Sequence, residues 1–413
     1  MRHLIIGNSA AGTAAAETIR ATEPQAKILL VSQDSAFYSR CQLHLVATGQ
    51  RSADQANFLP DNWAVKHQVE LLLGCTVTGI DAEAHQALCA DGQRLNYDRL
   101  LLASGSRSFL PPVEGLTGPG TCCLRNIEDA LQIRELYQAS QHVVIIGAGL
   151  VGCELAEALI EVGHPSVSLV EMAPHPLPLQ LESVTGERLR HLMQQSGVNM
   201  YCGDGLARVE RNAEGLPLKV HLQSGTDLPA DLIVAAAGVR ANIELLSALG
   251  AECQRGIVID QRCQTSLSDI YAAGDVTECQ DSTLQKVMPS AIWPAARKQG
   301  RVAGINMAGG DASLLDHTGL RASVSLFGTS MVSVGPVFDI DPAWRKEFFQ
   351  HTDSRGRFCT RVCYTNDQQI LTAAVLCGDV SQAGLYADAI IKKLPLGDLK
   401  PASVPDHLLA AAV

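Results

Sequence analysis

Two short glycine clusters are the residues best suited to do chemistry. Gly7-Asn8-Ser9-Ala10-Ala11-Gly12 follows the apolar run His3-Leu4-Ile5-Ile6, and Gly147-Ala148-Gly149-Leu150-Val151-Gly152 follows His142-Val143-Val144-Ile145-Ile146. In each, the first glycine turns the chain out of a strand. The middle position brings backbone close to a pyrophosphate, and the last lets a helix pack on the strand. The helix that follows offers unpaired N–H groups and a positive dipole end to phosphate. The first cluster carries Ser9 in the middle slot, which narrows the clearance and supplies a hydroxyl; the second has all three glycines.

Glu171 closes the next apolar strand after the second cluster, in SLVEMAP. A carboxylate there accepts from both ribose hydroxyls and repels a 2′-phosphate, so NADH is expected over NADPH. The matching place in the first copy is Gln33 or Asp34, in VSQD. Three further strand-like runs end in small residues: Leu100–Leu102 before Ala103-Ser104-Gly105, Ile233–Val234 before Ala235-Ala236-Ala237-Gly238, and Ile270-Tyr271-Ala272 before Ala273-Gly274-Asp275. Small residues at a strand end let a crossing chain or a cofactor approach closely.

The elements that must position these residues form a β-α-β pattern that occurs twice, with second strands at Ile28–Val31 and Val167–Val170. Two such units imply two nucleotides. The chain has 413 residues, of which 46% are hydrophobic and 18% charged. That is a globular protein of two or three domains, by a prior of about 150 residues each. The net charge is -11 and aromatics are only 4%. Neither nucleic acid nor an anionic membrane is expected as a partner. No apolar run reaches membrane length. The N-terminus MRHLIIGNSAAG enters a strand directly. No secretory signal is read there, and a cytoplasmic, reducing location follows as an expectation. The thirteen cysteines contain no Cys-x-x-Cys and no ferredoxin spacing, so neither a metal site nor an iron–sulfur cluster is expected.

With the two glycine clusters and the Ala272-Ala273-Gly274-Asp275 segment, the sequence resembles the flavoprotein pyridine nucleotide-disulfide oxidoreductase superfamily. The resemblance spans nearly the whole chain. It implies an α/β fold with two Rossmann-like domains and a C-terminal α+β domain. Residues 1–110 with 236–308 would bind FAD, residues 111–235 would bind NAD(H), and residues 309–413 would form an interface domain, giving a homodimer or a hetero-complex. It implies an FAD site at Gly7, Ser9, Ala10, Ala11, Gly12, Gln33 or Asp34, Arg40, Ala103, Ser104, Gly105, Gly274, Asp275 and Trp293. Asp275 would bond the ribityl hydroxyls, and the helix that opens near Trp293 would aim its N-terminus at the flavin. The NAD site would comprise Gly147, Gly149, Leu150, Val151, Gly152, Glu171 and Gly238. Glu154, in VGCELAE, matches a glutamate that the family places beside the nicotinamide.

Two subgroups share features with FYSRCQLHLVATG. Tyr38-Ser39-Arg40 matches NADH:rubredoxin reductases and nitrite reductase flavin domains, which use no cysteine there. Cys41 matches single-cysteine NADH oxidases, peroxidases and CoA-disulfide reductases, where the thiol is catalytic. Two-cysteine reductases are excluded, because Val46 stands five residues beyond Cys41. The peroxidase histidine is replaced by Ala10, and the disulfide reductases' C-terminal His-Glu pair is not evident in PASVPDHLLAAAV, where His407 is the only candidate and reads as a surface residue. The expected function is an FAD-dependent NADH:acceptor oxidoreductase. Its partner would be an iron–sulfur or rubredoxin-type protein, or the chain would serve as the flavin subunit of a larger oxidoreductase. The alternatives are a Cys41-dependent CoA-disulfide or persulfide reductase or NADH oxidase, and a flavin-bearing redox sensor.

Overall fold

The computed structural model describes residues 1–281, 284, 286–289, 291–314, 321–338, 340–352 and 358–399. It divides into two units, one of 1–39, 53–107 and 239–319, the other of 40–52, 108–238 and 320–413.

The first unit is built on a five-stranded sheet in the order Ile270–Ala272, Arg99–Leu102, Arg2–Ile6, Lys27–Ser32, Val69–Leu73. Every neighbouring pair is parallel. Leu4, Ile5, Leu30, Leu100, Leu101 and Leu102 are essentially solvent-free. Such continuous apolar runs are what a sheet covered on both faces demands. Helix Ala10–Thr22 packs against helix Trp293–Met307 through small residues. A Cβ on Gly300 would stand 2.2 Å from the Ala11 carbonyl oxygen, and one on Gly304 2.7 Å from that of Ala15. Only glycine lets the two backbones approach this closely. A three-stranded antiparallel sheet, Val77–Asp81, Gln86–Cys89 and Arg94–Asn96, and a second small sheet, Ile257–Val258, Thr277–Gln280 and Val287–Pro289, also belong to this unit.

The second unit repeats the plan. Its parallel sheet runs Val198–Cys202, Val167–Glu171, Val143–Ile146, Leu232–Ala235, Thr121–Cys123. Helix Leu150–Glu161 follows the central strand, as Ala10–Thr22 does in the first unit. Residues 40–52 belong here because Leu43, Val46 and Ala47 of helix Leu43–Ala47 are buried as it packs on helices Ile127–Tyr137 and Leu150–Glu161. The Tyr137 hydroxyl donates to the Thr48 carbonyl at 2.9 Å.

The C-terminal part is a five-stranded antiparallel sheet, Arg321–Leu326, Thr329–Val334, Leu371–Cys377, Phe358–Thr365, Arg345–Thr352. Its central strand, Leu371–Cys377, is buried at every position. Helix Ala383–Lys392 covers it, burying Tyr386, Ala387, Ala389 and Ile390. Cys359, Cys363 and Cys377 are core residues of this sheet. No helix among the described residues is long and apolar enough to cross a membrane.

Candidate functional site

The two glycine turns are built alike, bond for bond. The Gly7 N–H donates to the Val31 carbonyl at 2.8 Å, and the Gly147 N–H to that of Val170 at 2.8 Å. Ala103 N–H bonds the Ile6 carbonyl and Ala236 N–H that of Ile146, each at 2.8 Å. Gly7 has φ +116° and Gly147 φ +104°, a region that side chains avoid. A Cβ at Gly7 would lie 2.1 Å from the Ala103 oxygen, and one at Gly147 2.5 Å from the Ala236 oxygen. At the third positions, a Cβ on Gly12 would meet the Gly7 oxygen at 1.9 Å, and one on Gly152 the Gly147 oxygen at 2.0 Å. These glycines are therefore fixed by backbone crowding.

The middle positions behave differently. A Cβ on Gly149 would meet nothing within 4 Å, so open space lies beside the start of the helix. Ser9 and Gly149 are the N-caps of their helices, both extended, and neither makes a side-chain capping bond. The first-turn N–H groups thus keep their donors for an anion. Open space over crowded glycines at a helix start is the shape a dinucleotide's pyrophosphate needs, and the second turn presents it; the first shares its crowded glycines and uncapped helix start. Ala10 and Ala11 are buried in the first turn of one helix, and Leu150 and the exposed Val151 open the other.

Around the first turn the structure gathers the ends of three strands. Ala103, Ser104 and Gly105 leave the strand Arg99–Leu102. Ser104 Oγ donates to the Asn242 carbonyl at 3.1 Å, and Asn242 Nδ2 returns a bond to the Ser104 carbonyl at 2.9 Å. Gly274 and Asp275 follow the adjacent strand. Gly274 has φ +86°, and its N–H donates to Gln299 Oε1 at 2.7 Å. Asp275, half-buried, accepts from Ser106 Oγ at 3.3 Å. Gln299 is fully buried in mid-helix and also accepts from Thr277 Oγ1 at 3.1 Å. It fixes the Gly274–Asp275 turn, yet in sequence it reads as one more polar residue in AARKQGR. Trp293 opens its helix with Pro294 in the first turn, edge-on to Phe58 at 4.9 Å between ring centres. Arg297 of the same helix pairs with Glu17 at 3.2 Å.

At the second strand of each copy the registers differ from what the sequence suggests. The bonds that place Glu171 directly after Val170 place Ser32 directly after Val31. Gln33, exposed, and Asp34, half-buried, come one and two residues later. Ser32 Oγ accepts from the Asp34 N–H at 3.2 Å.

Glu171 is anchored through both carboxylate oxygens. Oε2 accepts from the Ala148 N–H at 2.7 Å, and Oε1 from the Ala173 N–H at 2.8 Å. The acid that would face a ribose is thereby tied to the backbone of the glycine turn itself. Gly238, with φ +102°, ends the neighbouring strand's loop, and its carbonyl accepts from the Phe109 N–H at 2.9 Å.

Glu154 stands one turn into helix Leu150–Glu161. Burial first, and the charge of Glu157 second, push its carboxyl up to about 7. His44 Nδ1 lies 3.6 Å from Glu154 Oε2. Burial brings the imidazole down to about 4, so His44 is neutral at pH 7 and its pairing with Glu154 is not an ion pair. His44 carries no sequence motif; only the packing of residues 40–52 brings it to Glu154. Arg40 and Cys41 lie in the turn Arg40–Gln42, and Cys41 is exposed. His407 lies outside the described residues.

The model of the pyridine nucleotide-disulphide oxidoreductase family matches residues 1–300. The chain belongs to that family. Over 410 residues it is 29% identical to the NADH-dependent phenylglyoxylate dehydrogenase subunit epsilon of Aromatoleum evansii, covering 98% of this chain and 95% of that one. It is 31% identical over 338 residues to an NADH oxidase of Methanocaldococcus jannaschii, covering 79% and 74%. In structure it matches the reductase of a covalent putidaredoxin reductase–putidaredoxin complex, with TM-score 0.86, 25% identity, and coverage of 100% and 98%. The resemblance read from the motifs and the α/β fold class hold. The family member is an NAD(P)H-dependent flavin oxidoreductase whose cofactors are FAD and NAD(H).

Proposed function

We propose that this oxidoreductase passes electrons between NADH and an iron–sulfur or rubredoxin-type protein, in either direction, as the flavin-bearing subunit of a larger oxidoreductase. The observation that carries the reading is end-to-end similarity to a chain named as a subunit of an NADH-dependent dehydrogenase. Tyr38-Ser39-Arg40 and the absence of a histidine at Ala10 point the same way. Bound FAD supplies the capacity to accept a hydride and to give up electrons singly.

The residues of this chain bind and orient. Gly7, Ser9, Ala10, Ala11 and Gly12, with the helix start behind them, hold the FAD pyrophosphate. Asp275 accepts from the ribityl chain and is steadied by Ser106. Ala103, Ser104, Gly105 and Gly274 leave room for the cofactor, and the N-terminus of the helix at Trp293 faces its ring. Gln33, Asp34 and Arg40 complete that site. Gly147, Gly149, Leu150, Val151 and Gly152 hold the second pyrophosphate, with Gly238 beside it. Glu171 accepts from the adenosine ribose. Glu154 positions the nicotinamide carboxamide. The FAD domain is 1–110 with 236–308, the NAD domain 111–235, and the interface domain 309–413.

A second reading has two observations in its favour: Cys41 is exposed, and one relative is named an NADH oxidase. Cys41→Ser separates the two. Undiminished NADH-dependent reduction of ferredoxin- or rubredoxin-type acceptors, without CoA-disulfide reduction in either protein, supports the carrier reading. Loss of NADH turnover in the variant, with CoA disulfide or peroxide reduced by the wild type, overturns it.

A further inference from the structure

Away from both glycine turns, three ligand-type side chains converge beside the small antiparallel sheet of the first unit. Cys75 follows the strand Val69–Leu73, Cys89 ends the strand Gln86–Cys89, and Asp91 lies in the turn to Arg94–Asn96. The two sulfurs and a carboxylate oxygen all lie within 4.8 Å of one another.

Each is held on a fixed backbone. Cys75 N–H bonds the Ser32 carbonyl at 2.9 Å, and Ala90 N–H bonds that of Thr76 at 2.8 Å. The turn closes by Cys89 N–H to the Gln93 carbonyl at 2.9 Å and Gly92 N–H to that of Cys89 at 3.0 Å. Gly92, at φ +88°, makes this sharp reversal possible. Asp91 Oδ1 accepts from the Gln93 N–H at 2.9 Å, which aims the carboxylate.

Two thiols and a carboxylate brought together are a donor set that a divalent ion binds once the thiols have given up their protons. Donor atoms around tetrahedral zinc stand about 3.4–3.8 Å apart, inside the observed span, so small side-chain rotations suffice. Two sulfurs do not suit Mg²⁺ or Ca²⁺, which take oxygen ligands.

We propose that Cys75, Cys89 and Asp91 form a binding site for one thiophilic divalent cation, with Zn²⁺ the fitting ion and water its fourth ligand. Uptake releases the two thiol protons to solvent and forms two Zn–S bonds and one Zn–O bond. No electron transfer is involved. The bound ion ties the turn at Asp91 to the segment after Val69–Leu73. Sequence spacing did not suggest this site because Cys75 and Cys89 are fourteen residues apart and form no Cys-x-x-Cys pair.

The test uses the full-length flavin-containing protein, stripped with a chelator under reducing conditions and dialysed against Zn²⁺. Wild type and Cys41→Ser should each bind one tight equivalent per chain, and Zn²⁺ should raise their melting temperatures. Removing a group that only hydrogen-bonds to a metal ligand weakens metal sites by roughly 10–100-fold. Cys75→Ser and Asp91→Asn remove direct ligands and should lose at least that much, with no thermal shift on adding Zn²⁺. Cd²⁺ should give a thiolate charge-transfer band in wild type that Cys75→Ser lacks. A wild type without a tight equivalent overturns the proposal, as does a Cys75→Ser variant that keeps it. Isolation of a Cys75–Cys89 disulfide without metal uptake also overturns it.

Discussion

Glu171 spends both carboxylate oxygens on backbone N–H groups, at Ala148 and Ala173, before any ligand arrives. A ribose bound there, as proposed, would meet a preorganised acceptor and lose little entropy in fixing it. Hydrogen bonds to a charged group are worth about 1.5–3 kcal/mol each. Glu171→Gln should raise KM for NADH by about tenfold or more and should reduce the preference over NADPH, as steady-state kinetics with both nucleotides would read.

Glu154 changes charge close to neutrality. Its carboxyl is raised from 4.5 to about 7 in the folded chain. The folded state therefore favours the neutral acid. That contribution to stability is complete below pH 4.5 and is lost as pH rises through about 7. The proposed placement beside the nicotinamide adds a functional consequence. The anion attracts the pyridinium of NAD⁺ and not neutral NADH, so product inhibition by NAD⁺ should tighten by roughly fivefold between pH 6 and pH 8. In Glu154→Gln the inhibition constant should be flat across that interval, and the stability profile should lose this one group's contribution. A wild-type inhibition constant independent of pH would place the nicotinamide elsewhere.

At the scale of elements, the glycine turns were legible because strand, turn and helix are contiguous in sequence. The reason each glycine must be glycine lies within ten residues or at a strand end that carries its own small residues. Gln299 and His44 were not legible. Gln299 acts by bonding Gly274, twenty-five residues away, and its importance follows from being fully buried against the 274–279 segment. His44 reaches Glu154 only because residues 40–52 pack in the second unit. The Ser32 register was hidden as well, since VSQD offers no clue to which residue ends the strand. The helix pair gives the sharpest test here. Gly300→Ala forces a Cβ to 2.2 Å from the Ala11 oxygen, so the helices must separate. Overpacking of this kind costs about 1–3 kcal/mol. Gly300→Ala should lower the melting temperature and loosen flavin retention, whereas Gly309→Ala, at a site with nothing within 4 Å, should cost only its backbone strain at φ +83°. Equal losses in the two variants would mean that the close helix contact is not what holds this region.

At the scale of the whole chain, the sequence announced the repeat, and the structure carries it through two parallel five-stranded sheets with matching turn bonds. The C-terminal part was expected as an α+β domain only from the family resemblance, and its strand order, 321–326, 329–334, 371–377, 358–365, 345–352, depends on long-range pairing that local pattern does not encode. Acceptor choice is likewise not written in a motif, because docking depends on a surface assembled from distant segments.

The central claim is that one chain holds both coenzymes and moves hydride between them. Anaerobic mixing of the purified yellow protein with one equivalent of NADH tests it most directly. Full, rapid loss of the flavin's visible absorbance is predicted, with NADPH markedly slower. A colourless protein that refuses added FAD, or a flavin that NADH leaves oxidised, would contradict it.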